Sequence, residues 1–289
     1  MDGARQNADE QAALWNGRSG NTWVDLQELL DRMLKPLEDR LLDAIPAGSA
    51  DRVLDVGCGT GSTTLAIARR LGASGRSTGI DISEPMTNWA RVRAERDGVP
   101  ATFIRADAQT HAFEPASFDR IVSRLGVMFF GDAVAAFANL RRAAKDHAEL
   151  RFVAWRSAAD NPFMTTAERA AAPLLPSVPP RLADAPGQFA FADPERVRHI
   201  LERSGWSDIR IEPIEAACAL PEKDLLRYAT RLGPLGRVLP DADEHTRAQV
   251  IETVRAAFEP YAQGDEIRFT NACWMVSARA TAAKAARGG

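Results

Sequence analysis

Val53-Leu54-Asp55-Val56-Gly57-Cys58-Gly59-Thr60-Gly61-Ser62 is the stretch that decides the fold. A short β-branched and apolar run, 52–56, stops at a glycine cluster. Helical spacing then resumes over 63–71 and ends at Gly72. Glycines between a strand and a helix permit a tight turn and let a ligand approach the backbone closely. Two phosphate-binding patterns do not fit. A dinucleotide loop, G-x-G-x-x-G, would place its third glycine at Ser62, but the glycine stands at Gly61. A P-loop would require Gly-Lys-Ser/Thr, which does not follow. Asp55 adds a charge argument, because a carboxylate beside the loop repels a pyrophosphate and attracts a cation.

Outward from this stretch, strands and helices alternate. Strands are expected at 76–82, 101–106, 118–123 and 149–155, with helices at 84–96 and 132–144. This rhythm predicts an α/β fold with a parallel sheet covered on both faces. The second strand ends in Gly79-Ile80-Asp81-Ile82 and the third in Arg105-Ala106-Asp107-Ala108. An acid at the second position can accept hydrogen bonds from ribose hydroxyls. Asp107 can accept from an adenine amine while the Ala108 N–H donates to a ring nitrogen. Carboxylates on three successive strand ends thus define a crevice for a positively charged adenosine.

The flanks suggest covers. Residues 1–20 are polar and read as mobile at their start. Leucines and Met33 recur at helical spacing over 23–45, with Pro36 expected to kink or divide that helix. Residues 1–46 therefore read as an N-terminal helical cap and 47–157 as the core. Prolines at 173, 176, 179, 180 and 186 argue against a long helix or inner strand in 158–192, which reads as a lid. Residues 193–280 read as the rest of the core. They comprise a helix at 193–204, a strand at 207–213, a helical insertion at 222–262 and a last strand at 268–280. Residues 281–289 read as a disordered tail.

The bulk properties exclude several classes. The 289 residues carry a formal charge of −3, so no basic field draws the chain to nucleic acid. No apolar run approaches bilayer length, and the polar N-terminus lacks a signal-peptide core. Cys58, Cys218 and Cys273 are far apart and form neither a metal spacing nor a disulfide framework. A cytoplasmic, metal-independent protein is expected, with its oligomeric state unassigned.

The runs VLDVGCGTG, GIDIS, ADAQ and SFDRIVSRLGVMFF resemble the class I S-adenosylmethionine-dependent methyltransferases. Within these the chain is most similar to methyltransferase-domain proteins of the ubiquinone-biosynthesis type. The resemblance implies a Rossmann-like seven-stranded sheet, order 3-2-1-4-5-7-6 with the last strand antiparallel. It also implies S-adenosyl-L-methionine as cofactor and methyl transfer to an O, N or C atom of a small molecule. Carried over, Gly57, Cys58, Gly59 and Gly61 form the loop around the methionine part. Asp55 organises its amino group, and Ser123 contributes a backbone contact there. Asp81 clamps the ribose, Ile82 and Met86 flank the adenine, and Asp107 and Ala108 read its edge. One departure is visible: Lys145-Asp146-His147-Ala148 stands where the family has a Pro-Gly-Gly turn.

Candidate substrate-pocket residues are Trp15, Trp23, Met128, Phe129, Trp155 and Phe163, pointing to an apolar or aromatic acceptor. Any of them could equally be plain core. No general base stands out. His111, after the third strand, and Arg124, after the fourth, are the catalytic candidates, although Arg124 could simply pair with an acid such as Asp132. Two other readings remain open here, a nicotinamide-dependent oxidoreductase and a non-catalytic S-adenosylmethionine-binding module.

Overall fold

The computed structural model describes residues 2–178 and 185–281. Pro179, Pro180 and all of the expected tail beyond residue 281 lie outside the described residues. The chain opens with three helices, α1 (Asp2–Asn16), α2 (Arg18–Asp25) and α3 (Gln27–Leu42). Helix begins at Asp2 in the polar stretch. The break in the expected 23–45 helix falls at Leu26, whereas Pro36 sits inside α3. A buried stripe of Leu29, Leu30, Met33, Leu34, Leu37 and Leu41 holds α3 together across the proline.

The core follows as β1 (Arg52–Val56), α4 (Ser62–Arg70), β2 (Arg76–Asp81), α5 (Glu84–Asp97), β3 (Ala101–Arg105), β4 (Phe118–Arg124), α6 (Ala133–Ala143) and β5 (Ala144–Trp155). Next come α7 (Pro162–Ala171), α8 (Pro194–Arg203), β6 (Ser207–Pro221), α9 (Leu225–Ala229), α10 (Gly233–Val238), α11 (Glu244–Ala257), β7 (Ala262–Gln263) and β8 (Glu266–Arg279). The sheet runs β3-β2-β1-β4-β5-β8-β6, with the two-residue β7 folded onto β8. Strands β3 to β5 are parallel, and β8 is antiparallel to both of its neighbours. Apart from β7, this is the expected seven-strand order. Val53, Leu54, Ile121, Leu150 and Phe152 are fully buried, as expected of strands covered by helices on both faces.

Departures from the sequence reading have local causes. Strand β6 runs on through Pro213 to Pro221, because it is an edge strand bonded to β8 alone, where a missing N–H costs no ladder bond. The segment 158–192 contains helix α7, with Pro162 in its first turn, where proline is tolerated. The family's Pro-Gly-Gly turn is replaced by an early start of β5 at Ala144. His147 there takes φ +66°, a conformation that suits glycine. Its N–H donates to Ala280 O at 2.6 Å, and Ala280 N returns a bond to Ala148 O at 2.9 Å. Pairing with the end of β8 thus holds this strained residue in place.

Candidate active site

The carboxyl ends of β1 to β5 open on one cavity of about 520 Å³. This is where ligands bind in open α/β sheets. The loop after β1 is shaped by backbone contacts. Gly57 N and Cys58 N both donate to Ile80 O on the adjoining strand, at 2.8 and 3.1 Å. Gly57 adopts φ +67°, and a Cβ placed on it would lie 2.6 Å from Gly126 Cα. No side chain fits there. Gly57, Cys58 and Gly59 line the cavity. Gly61 does not; it begins α4 with φ +86° and packs toward Ala90 and Phe103. Its part is to turn the chain, and the expectation of ligand contact there is corrected.

The three strand-end acids converge on the cavity. Asp55 is 1% exposed, and its Oδ2 accepts from Thr64 Oγ1 at 2.6 Å. Burial raises its pKa to about 6, opposed by the Thr64 bond and by the nearby Arg124 charge. Asp81 accepts from Gly59 N at 2.8 Å and Ser83 N at 2.9 Å, so it ties the loop after β1 to the corner after β2. Burial raises its pKa too. Each carboxylate oxygen retains a second lone pair for a ligand. Asp107 uses Oδ1 to accept from Gln109 N at 2.8 Å. Ile82, Met86 and Ala108 complete this end of the cavity.

Other candidates fall elsewhere. Ser123 is fully buried and absent from the cavity wall, because the strand's alternation turns it to the opposite face from Arg124. Its Oγ accepts from Gly126 N at 3.1 Å, so it shapes the turn after β4. His111 does not reach the cavity either; its ring packs edge-on against Phe113, 4.6 Å between centroids. Arg124 lines the cavity, but its acidic neighbour is Glu38 on α3, at 3.7 Å, and not Asp132, which caps α6. Burial pushes the Cys58 thiol well above its ordinary range, which disfavours a nucleophilic role.

Trp15, Trp23, Met128, Phe129, Trp155 and Phe163 all line the cavity. Trp15 meets Phe129 edge-on at 5.2 Å, which joins the N-terminal helices to the turn after β4. Phe163 also stacks on Phe269 at 3.6 Å, so it serves the core as well. The helices above add Tyr228 and Phe258, and Arg231 stands at the rim. Sequence reasoning missed Glu38 and Gly126. The first hides in a leucine-rich helix; the second is signalled by its place directly after a strand.

The N-terminal helices are fastened to the β2–α5 corner. Ser83 Oγ donates to Trp15 O at 2.6 Å, Asn16 Nδ2 donates to Ile82 O at 3.2 Å, and Glu84 N donates to Asn16 Oδ1 at 2.8 Å. On the opposite side Arg231 pairs with Asp25 at 2.5 Å, and Arg18 with Asp241 at 3.5 Å. These contacts bridge α2 to the helices that follow β6.

This donor set suits a cationic adenosine: a glycine-lined loop, acids at three strand ends, and the apolar Ile82 and Met86 beside them. Residues 53–147 match the family model of a methyltransferase domain. A nocamycin O-methyltransferase from Saccharothrix syringae is 28% identical over 185 residues, 61% of this chain and 66% of that protein. An aklanonic acid methyltransferase from a Streptomyces species is 36% identical over 104 residues, 36% of this chain and 47% of that protein. The matches therefore span less than two-thirds of either relative. The crystal structure of a methyltransferase-like protein from Bacillus halodurans superposes with a TM-score of 0.56 over 86% of this chain and 100% of that one. At 16% identity it speaks to the fold alone. No helix among the described residues is long and apolar enough to cross a membrane. In its fold, its glycine loop and the methyltransferase-domain match over residues 53–147, the chain is similar to the class I S-adenosylmethionine-dependent methyltransferases.

Proposed function

We propose that the protein methylates a small, largely apolar or aromatic acceptor beneath a helical cap. The observation that carries this reading is a cavity lined both by the strand-end acids Asp55, Asp81 and Asp107 and by the apolar Trp15, Met128, Phe129 and Trp155. The names of the two relatives, methyltransferases of nocamycin and aklanonic acid, support a small-molecule acceptor. Asp55 beside the loop, which would repel a pyrophosphate, and Ser62 in place of a third glycine argue against a nicotinamide cofactor.

S-adenosylmethionine, when bound, supplies an electrophilic sulfonium methyl group. Asp81 accepts from the ribose, Asp107 and the Ala108 N–H meet the adenine edge, and Asp55 offsets the ammonium. Because the methyl needs no further activation, the chain's main tasks are alignment and exclusion of water. The proposed division follows the sequence: a cap over 1–46, a core over 47–157, a lid over 158–192, and the rest of the core over 193–280 with the insertion 222–262. Each of the covering segments contributes to the cavity wall, through Trp23, Met164 and Leu232 for example.

Calorimetry and hydrogen exchange with S-adenosylhomocysteine test this reading. Binding is expected, with new protection in α1–α3 and in 158–178 or 222–262. Binding of NADH in its place would overturn the cofactor assignment; protection confined to the strand ends would overturn the cap.

Asp55 gives a pH prediction. With its pKa at about 6 in the free protein, it is largely neutral at pH 5 and charged above pH 7. The ammonium of the ligand's amino-acid tail favours the charged form, so S-adenosylhomocysteine affinity should rise with pH, by up to about tenfold between pH 5 and pH 7. Asp55→Asn should flatten that profile. A profile that survives the substitution would move the titration to another group such as Asp81.

A further inference from the structure

Arg124 is the cavity's unexplained cation. Its side chain is 11% exposed, and it lines the cavity beside the glycine loop. Among the described residues its guanidinium makes no hydrogen bond, and Nη1 is buried without an acceptor. Glu38 Oε2, its ion-pair neighbour, stands 3.7 Å away and is already engaged by Ser62 Oγ at 2.6 Å. A buried guanidinium with an acid nearby but no hydrogen bond is costly unless an acceptor arrives to meet it.

We propose that Arg124 receives the carboxylate of the cofactor's methionine tail, an inference that rests on the proposed use of S-adenosylmethionine. Its position favours the tail over the acceptor. On the sheet, Asp55 pairs with Val122, and Arg124 stands two residues beyond Val122 on the same strand. Neighbouring strands lie about 4.8 Å apart and two residues add about 6.6 Å, so the two side chains can serve one amino-acid head. Asp55 is already close enough to feel the Arg124 charge. Gly126, two residues further along, packs directly on Gly57. Arg124 is thus held against the loop that bends around the methionine. The acceptor wall of Met128 and Trp155 begins after that contact. Ammonium facing Asp55 and carboxylate facing Arg124 would match the zwitterion charge for charge. They would also give Arg124 the planar, two-pronged contact that a guanidinium makes best.

The experiment compares two ligands that differ only in this carboxylate: S-adenosylhomocysteine and its decarboxylated form, S-adenosyl-3-thiopropylamine. Kd is measured by calorimetry for the wild type, Arg124→Gln and Arg124→Lys. The wild type should prefer S-adenosylhomocysteine by at least about 30-fold, as loss of a charge-assisted bond implies. Arg124→Gln should abolish most of that preference while binding the decarboxylated ligand within about twofold of wild type, and Arg124→Lys should retain part of it. A preference that persists in Arg124→Gln overturns the assignment, as does equal weakening of both ligands, the mark of a residue that only neutralises Glu38. A wild type that does not distinguish the ligands overturns it without any variant, whether or not Arg124→Gln folds. A wild type that binds neither ligand removes the cofactor reading itself.

Discussion

Asp81→Ala should weaken binding of S-adenosylhomocysteine by about 1–3 kcal/mol, roughly 5- to 150-fold, because charge-assisted bonds to the ribose hydroxyls are lost. The side chain also accepts from Gly59 N and Ser83 N, so its removal loosens the junction of two loops. These contributions can be separated. Burial already disfavours the Asp81 charge in the free protein, as its raised pKa shows. Deleting that charge removes a desolvation cost while it orphans two backbone donors, and the opposing effects should leave the Tm of the free protein little changed. Asp81→Asn, which keeps an acceptor for one of the donors, should fall between wild type and Asp81→Ala in affinity. Unchanged affinity in folded Asp81→Ala would remove the ribose assignment. A large fall in Tm with proportionate loss of binding would make Asp81 a structural link only.

Gly57→Ala should be severely damaging to the cofactor loop. The new Cβ would lie 2.6 Å from Gly126 Cα and 3.2 Å from Gly126 C, both backbone atoms, so no rotamer change relieves it. The positive φ adds strain of its own, about 1–2 kcal/mol. Together the two effects should cost about 2–4 kcal/mol of stability and bring cofactor binding below detection, because the loop must move to accommodate the methyl. Gly48→Ala is the control. It shares a positive φ, +74°, with nothing within 4 Å of the added carbon, so it isolates the conformational cost at about 1 kcal/mol. Thermal unfolding of the two variants side by side reads the difference. If Gly57→Ala costs no more than Gly48→Ala, the contact between the two loops is not what fixes the glycine.

Much of the fold was legible because the signals are local. A strand running into Gly57–Gly61, acids at two further strand ends and a period of alternating elements are all visible within short windows. The expected sheet order came from the resemblance, and the structure has it. All six expected pocket side chains reach the cavity: Met128, Phe129, Trp155 and Phe163 because residues following neighbouring parallel strands meet at one edge of the sheet, and Trp15 and Trp23 because the N-terminal helices pack over that edge. What failed depended on orientation or on distant partners. Ser123 and Arg124 are adjacent in sequence, yet the pleat sends them to opposite faces. Gly61 looks like Gly57 in a string, but one turns toward Ala90 and the other toward Gly126. Glu38 sits among leucines on α3, and only the meeting of α3 with β4 gives it Arg124 as a neighbour. Strand β5 starts early because Ala144 pairs with Phe118 on β4, and Ala280, just past β8 and more than 130 residues away, accepts from His147 N. The prolines that argued against helix in 158–192 begin at Pro173, and α7 occupies the stretch before them with Pro162 in its first turn.

The attachment of Trp15 and Asn16 to Ile82, Ser83 and Glu84 bears on the timing of a catalytic cycle. The cover is anchored on the same corner that would hold the nucleoside, so the release of one would be coupled to the other. A departing nucleoside would have to wait for those hydrogen bonds to part, or else carry the cover with it. Under the proposed function the demethylated product would then linger after the chemistry is finished. Throughput in a cell would be governed by how quickly that product is cleared from its surroundings, more than by the speed of methyl transfer.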